Sequence, residues 1–530
     1  MQPEIQKAWD KTCTLLLGEE LGKIEDYAPW LRELIDQNTY QKSAVSGKEV
    51  AIAIPEYCKG SKTISFDEID FGKKFEPLNI NEIKDLDSIL EAVNERVYYC
   101  GNILLGNCGN VERSSNISDG FAIYDSAQFF NVKYMAYCTV GRENSYCFGV
   151  HGPGGSDFLI RCSQTVNVRR AFELWASMNS SDCYYVYGLD NCSNCLFSFN
   201  LKNRRYCIGN LELGRDKYDA IKKKLLAELV AELKKNKSAP SLMDIVRKSK
   251  AEKPSGLKSV TPEFTESNEQ LDKQIIEKEF SDTTKIIFGK PLTGMDNYSD
   301  WLCRHTHQMQ ETTSAVSGKR ILWLPYGISL VPLPENRMVT IEEADLLGET
   351  TRIGQSEAEN MTLENAHKNI GKIAYFKVDV RDGQTKNLID CSYCIGGSDC
   401  YRLSMFVRSK YCAFGMWPKD STNCFGMDSL MDSNFCVKCY HSTKLTRCFE
   451  MDNCRDCADS MFCHNCESVS NAMFCFNVKS KRYAIGNAEV GRDQFMDVKK
   501  KVVDEILEKI EKDKRLNLSI YEVGCRGRKS

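Results

Sequence analysis

Small side chains and amides recur at a fixed step along this chain. Cys400, Cys412, Cys424, Cys436 and Cys448 lie twelve residues apart, and the pairs Cys454/Cys466 and Cys463/Cys475 keep the same step. In the first half Cys183, Cys195 and Cys207 repeat at twelve, with Cys147 three steps earlier. Asn167, Asn179, Asn191 and Asn203 form a parallel series. A short fixed period of this kind predicts stacked coils, a β-solenoid. Its strands must be short, because Gly, Asn, Asp and Ser interrupt every few residues. The positions that follow the second ladder are Tyr401, Ala413, Phe425, Val437, Phe449 and Met461. Aromatic and smaller residues alternate there, so coils of twelve and of twenty-four both stay open.

The chain is a tandem duplication. LLLGEELGKIEDYAPWL in the first half matches IIFGKPLTGMDNYSDWL in the second, Trp30 matches Trp301, and SAVSGK recurs at Ser43 and Ser314. FNLKNRRYCIGNLELGRD from Phe199 matches FNVKSKRYAIGNAEVGRD from Phe476. The expected organisation is an N-terminal α/β module over 1–96, a first β-solenoid over 97–213 and a capping helix over 214–235. A linker over 236–280, a second α/β module over 281–369 and a second β-solenoid over 370–490 follow. A capping helix and basic tail fill 491–530. Each module predicts a helix around its tryptophan, a turn at Ser46-Gly47 or its twin, and a strand in EVAIAIPEY or RILWLPYG. Both helices after GRD are amphipathic, with Tyr218, Ile221, Leu225, Leu229 and Leu233 on one stripe and Phe495, Val498, Val502, Ile506 and Ile510 on the other. A coil stack needs its last edge covered, which gives these helices a capping role; contact with another copy is the sharper alternative. The fold class is therefore β-rich α+β.

Composition narrows the setting. The 530 residues exceed one ordinary core, and 42% hydrophobic, 27% charged and a net charge of −3 describe a globular chain with no general pull toward nucleic acid or an anionic membrane. No apolar run approaches a membrane span, and the N-terminal stretch lacks the basic start and long apolar core of a signal peptide. A cytoplasmic location follows as the expectation. The 26 cysteines are then expected free or on metal. Disulfides are the second option, since coils about 4.8 Å apart fall inside the Cα spacing a bridge tolerates.

Metal is the main chemical temptation. Cys391/Cys394, Cys436/Cys439, Cys454/Cys457 and Cys463/Cys466 are CxxC pairs, and Cys454, Cys457, Cys463 and Cys466 could supply four thiolates for zinc or an iron–sulfur centre. The duplication weakens this. Those positions correspond to Ser177, Ser180, Val186 and Leu189 in the first half, and Cys207 corresponds to Ala484. Cysteine that trades with Ser, Val and Ala behaves as a small core residue. SAVSGK lacks the first glycine and the final Ser or Thr of a phosphate loop and reads as a helix-to-strand turn. Cys303, His305 and His307 crowd WLCRHTHQM without counterparts in WLRELIDQN; they could add a metal ligand or two, but a surface helix is the favoured reading. His151 sits in a glycine run with Asp157 as its one near acid, too little for a catalytic pair. Arg204, Arg205, Lys481 and Arg482 form small basic patches, expected to pair with helix acids.

The string CLFSFNLKNRRYCIGN resembles the ending of cysteine-rich repeat proteins encoded in reduced-genome candidate-phylum bacteria. The matching positions are Asn200 to Tyr206 and Asn477 to Tyr483, each followed by an acidic-basic helix from Asp216 or Asp493. The zinc-ribbon-like N-terminus of those proteins has no counterpart here. The resemblance implies a repeat fold and carries no activity and no catalytic residue. The function expected from the sequence is a non-enzymatic structural or assembly scaffold, cellular or viral, with protein partners or copies of itself and no cofactor, nucleic acid or membrane. A metal-binding protein is the alternative, and a glycan-processing β-helix enzyme the weaker third.

Overall fold

The computed structural model describes residues 1–54, 56–79, 83, 85–252, 271–325 and 332–526. The protein is β-rich α+β, with a fourteen-stranded sheet in the first half and a ten-stranded sheet in the second. Apart from one closing hairpin in each, their strands pair in parallel at an offset of twelve, which widens to thirteen only at the starting edges, where Leu104 faces Ile117 and Arg381 faces Cys394. Cys147 faces Leu159, Leu159 faces Ala171, and Ala171 faces Cys183. Cys424 faces Cys436, and Cys436 faces Cys448. The pairing unit is twelve residues, which removes the twenty-four-residue option. These sheets are called here the first ladder, residues 104–212, and the second ladder, residues 381–489. In the first, the two ten-residue strands Ala127–Ala136 and Arg169–Met178 each span two columns, so seven strands between 127 and 178 close a ring of pairings.

A shorter period lies inside the twelve. From Arg113 to Gly209, and from Asn387 to Gly486, every third residue has a φ near +50° to +70°. The residue after each such corner points inward. Val132, Met135, Cys138, Cys147, Val150 and Leu159 belong to one buried inner cluster, and Cys424, Met427, Leu430, Cys436 and Cys439 to the other. The left-handed region costs an L-residue roughly 1–2 kcal/mol and is cheapest for Gly, Asn and Asp. This explains the Asn series: Asn167, Asn179, Asn191 and Asn203 are all corners. Their side chains also bond along the column, Asn167 to Asn179 at 3.2 Å and Asn191 to Asn203 at 2.6 Å. Bulkier corners gain compensation the same way. Tyr134, Tyr146 and Phe158 stack with centroids 4.9 and 4.6 Å apart, and Arg170 pairs with Asp182, Arg408 with Asp420 and Arg447 with Asp459.

One outer row on each ladder is apolar and covered by helices. Phe148, Ile160, Phe172, Tyr184, Leu196 and Ile208 lie beneath the helices Pro3–Leu17 and Arg215–Asn236. Phe425, Val437, Phe449, Met461, Met473 and Ile485 lie beneath Lys273–Phe288 and Arg492–Asp513. The alternation after the ladder cysteines thus belongs to this helix-covered row. The helices after GRD line a side of each ladder and do not close its end alone, which corrects the simple capping picture. The expected linker over 236–280 carries the helix Leu242–Lys248 and the first turns of Lys273–Phe288; its part 253–270 lies outside the described residues. The module helix expected around Trp30 is shorter, Ala28–Arg32, after a 3-10 turn. Of the basic tail, residues 527–530 lie outside the described residues.

The ladder ends are closed by exchange. Asn200, near the end of the first ladder, donates to the carbonyl of Tyr375 from the second module at 2.8 Å. Its twin Asn477 donates to the carbonyl of Tyr98 from the first module, also at 2.8 Å. Glu228 accepts from the amide of Leu363, and its twin Glu505 from that of Leu86. Residues 50–99 accordingly share a core with the second ladder, and residues 321–378 with the first. Each half supplies the cover for the other.

The opposite ends differ. Among the described residues, strand Gly109–Glu112 pairs only with Ser115–Tyr124, and the inward residues Leu104, Cys108 and Val111 are only partly buried. On the second ladder Arg381 lies across the end of the inner cluster. It bonds the carbonyl of Cys391 and Asp379, and approaches the sulfur of Cys394 at 3.6 Å.

Candidate functional site

The seam between the halves gathers the chemically active side chains. Each half also holds one buried ion pair, and both pairs are built on the twelve-residue step. Arg161 pairs with Glu173 at 2.6 Å, and Lys438 with Glu450 at 3.8 Å, with all four side chains buried. Each cation donates to a carbonyl of its tryptophan: Arg161 to Trp30, and Lys438 to Trp301 at 2.8 Å. Each carboxylate accepts an amide from the segment after the helix, Glu173 from Leu242 at 3.0 Å and Glu450 from Ile520 at 2.8 Å. Burial raises both carboxyls despite their partners, Glu450 to about 7. Lys438 is lowered by burial against the pull of Glu450. All four side chains are buried, so each pair fixes where its tryptophan segment docks.

Beside it lies a buried hydrogen-bond chain. Tyr57 donates to Asp452 at 2.7 Å, and Asp452 meets Nδ1 of His464 at 2.8 Å. Nε2 of His464 accepts the amide of Cys100 at 2.8 Å, which leaves Nδ1 to carry the N–H toward Asp452. Tyr57 and Tyr99 stack at 4.2 Å over this chain. A cavity of about 140 Å³ follows, lined by Asp36, Glu56, His305, His307, Asp428 and His441 among others. His305 packs against the rings of Tyr440 and Tyr521, and burial with Lys438 and Arg304 nearby pushes it down to about 3. His307 pairs with Asp428 at 3.1 Å; burial opposes its charge, yet Asp428 holds it above the ordinary value. Glu56 is raised by burial.

A larger pocket, about 300 Å³, opens on the other side of His307. Cys303, Gln308, Glu311, Arg320, Asp390, Tyr401 and Arg402 line it. Arg320 bonds Glu311 at 2.8 Å and Asp390 at 2.7 Å. Thus WLCRHTHQM forms the shared wall of two cavities. The surface helix expected there stops at Leu302.

The other sequence candidates behave as core or turn. Cys454, Cys457, Cys463 and Cys466 are fully or almost fully buried in the inner cluster. Their sulfurs lie within bonding reach of backbone carbonyls, Cys454 to Cys463 at 3.3 Å and Cys457 to Cys466 at 3.5 Å. Burial pushes the thiols of Cys454, Cys463 and Cys466 far up, so they stay protonated. Among the described residues no group of three or more His, Cys, Asp or Glu side chains is placed to hold a metal ion. Cys58 and Cys525 are joined in a disulfide, against the expectation of free or metal-bound thiols, and the other 24 cysteines are free. Both bridged residues stand off the ladders, where the twelve-residue period gives no hint of a partner. Ser43 caps its own turn, accepting from Val45 and Ser46 and donating to Glu68, so SAVSGK is a turn. His151 is buried against Thr139 at 3.0 Å, and Asp157 bonds Ser145 instead. Arg204 reaches Glu212 of the closing hairpin at 3.9 Å, Lys481 is half-buried and Arg482 exposed, and among the described residues none of these is ion-paired to a helix acid. The buried pairs Arg161/Glu173 and Lys438/Glu450 escaped the sequence reading; opposite charges twelve apart, repeated at the same place in both halves, were their signal.

Among the described residues no helix is long and apolar enough to cross a membrane. Neither a protein-family model, a curated protein nor a solved structure matches the chain.

Proposed function

We propose that the protein is a non-enzymatic scaffold built on two short β-solenoids, one per half, and that it assembles with copies of itself. The solenoid reading is supported by the offset of twelve that the parallel pairing keeps beyond the starting edges and by inward residues at every third position. The scaffold reading is supported by the interior, where side chains fill both ladders and the sulfurs of Cys454, Cys457 and Cys466 bond to backbone carbonyls.

The single observation that carries assembly is the contrast between the two starting edges. An inward-pointing charge is a known device against edge pairing, and Arg381 supplies one on the second ladder. The first ladder leaves the strand Gly109–Glu112 and the apolar Leu104 and Val111 without that protection. A strand edge with this register is matched by the same edge of a second copy. Light scattering of the purified chain is expected to show a dimer or larger species. Val111→Lys with Leu104→Lys should reduce it to a monomer with the melting temperature kept, because both side chains are only partly buried. A wild-type chain that is monomeric at all accessible concentrations would sink the reading.

A further inference from the structure

The two halves carry the same site in opposite charge. In the first half Arg113 pairs with Glu49, and Asp125 accepts from Arg32, Nε at 2.8 Å, and from Tyr40. The duplicated positions in the second half are Asp390 with Arg320, Arg402, Cys303 and Glu311. The Arg113–Glu49 bridge survives there with its ends exchanged, as Asp390–Arg320 at 2.7 Å. That conserved geometry shows that the two sites are built alike. The other pair does not survive. Asp125 has become Arg402, and its partner Arg32 has become Cys303, which carries no opposite charge.

The consequence is a surplus cation in a hollow. Glu311 and Asp390 are both taken by Arg320. Among the described residues Arg402 forms no ion pair; its guanidinium lies 5.4 Å from the ring centre of Phe414, at the wall of the pocket of about 300 Å³. Where the first half fills this place with the Arg32–Asp125–Tyr40 contacts, the second half leaves room. Gln308 and Gln310 add amides to the lining, Met309, Leu322 and Tyr401 add apolar surface, and His307 closes one side. His307 is charged more readily than an ordinary histidine because of Asp428.

We propose that this pocket binds a small anionic ligand, a carboxylate or a phosphate compound, whose negative group meets Arg402 in the role that Asp125 plays for Arg32 in the first half. A planar guanidinium suits both groups through paired N–H donors. This goes beyond the scaffold reading and does not depend on it.

The test is isothermal titration of the full chain with inorganic phosphate and, separately, with citrate, which tells the two chemistries apart. Saturable one-site binding of at least one is expected. Arg402→Gln should weaken it by about tenfold or more, the loss that follows removal of a charge-assisted hydrogen bond. The double variant Cys303→Arg, Arg402→Asp rebuilds the first half's pair inside the pocket. It should abolish binding while the melting temperature holds or rises, and it keeps the test decisive if the single variant folds poorly. Undiminished binding by either variant, or no saturable binding of either anion to the wild-type chain, would overturn the proposal.

Discussion

Cys424 shows what a ladder cysteine does. Its side chain is fully buried, and its sulfur lies 3.2 Å from the carbonyl of Thr422 and 3.6 Å from that of Ser433. Replacing it by Ala removes one small group and one weak bond, so the expected cost is about 1 kcal/mol by denaturant unfolding. Lys at the same place buries an unpaired charge and should leave the second ladder unfolded, read as loss of cooperative melting. Glu450 behaves differently because it titrates. Its folded value of about 7 lies above the ordinary carboxyl value of 4.5. Its stabilising contribution is therefore full below about 4.5 and lost as pH rises through about 7. Glu450→Gln should flatten the fall of stability across that window, measured by urea unfolding at several pH values; an unchanged slope would show that another group governs it. In the first half Glu173→Ala removes the buried partner of Arg161, leaving the more exposed Glu33 at 3.0 Å, and should cost about 3 kcal/mol. At this scale the sequence was half legible. The cysteines announced the twelve-residue step because their inward place tolerates only small or apolar groups. The three-residue corner stayed hidden because corners accept Asn, Tyr, Arg and Glu alike, with neighbours along the column making up the strain.

The helices repeat the lesson with other physics. The stripes Tyr218 to Leu233 and Phe495 to Ile510 were plain, and both are buried. Their partners were harder to foresee, because an apolar stripe says that something covers it and not what. Leu229 and Leu233 pack in the same core as Leu16, Trp30 and Tyr184. Replacing both by Glu is therefore expected to abolish cooperative folding of the first ladder, followed by circular dichroism. A folded chain with altered size would instead place this helix at a contact between copies. The helices Pro3–Leu17 and Lys273–Phe288 went unnoticed, although Pro3 near the start, Gly18 with φ +88° at the end and the spacing of Ile5, Trp9, Cys13 and Leu16 were on display. In the second, Lys273, Glu277, Lys278 and Glu279 gave the segment a linker's composition while Ile276, Phe280 and Ile287 faced the core.

On the scale of the whole molecule, the duplication was legible and the exchange was not. Matching strings show that two units exist, but the contacts between Asn200 and Tyr375 and between Asn477 and Tyr98 join residues more than a hundred positions apart. Nothing in a local pattern says whether a cover belongs to its own unit or to its sibling. The same holds for the seam: His305, His307, Asp428 and His441 meet Asp36 and Glu56 only because both halves contribute to one wall.

That exchange sets a timetable for synthesis. Strand Arg205–Ile208 leaves the ribosome well before the segment around Tyr375 that finishes the first ladder. At about 5–20 residues per second the emerging half waits on the order of ten seconds or more with the rings of Tyr187 and Phe199 uncovered, since Phe376 is what they pack against in the finished chain. The second ladder does not wait for the cover from its sibling module, because Tyr98 and Tyr99 have already been made. Vulnerability to misassembly is thus front-loaded in the first half, and the order of the two units along the chain is itself a physical property of the protein.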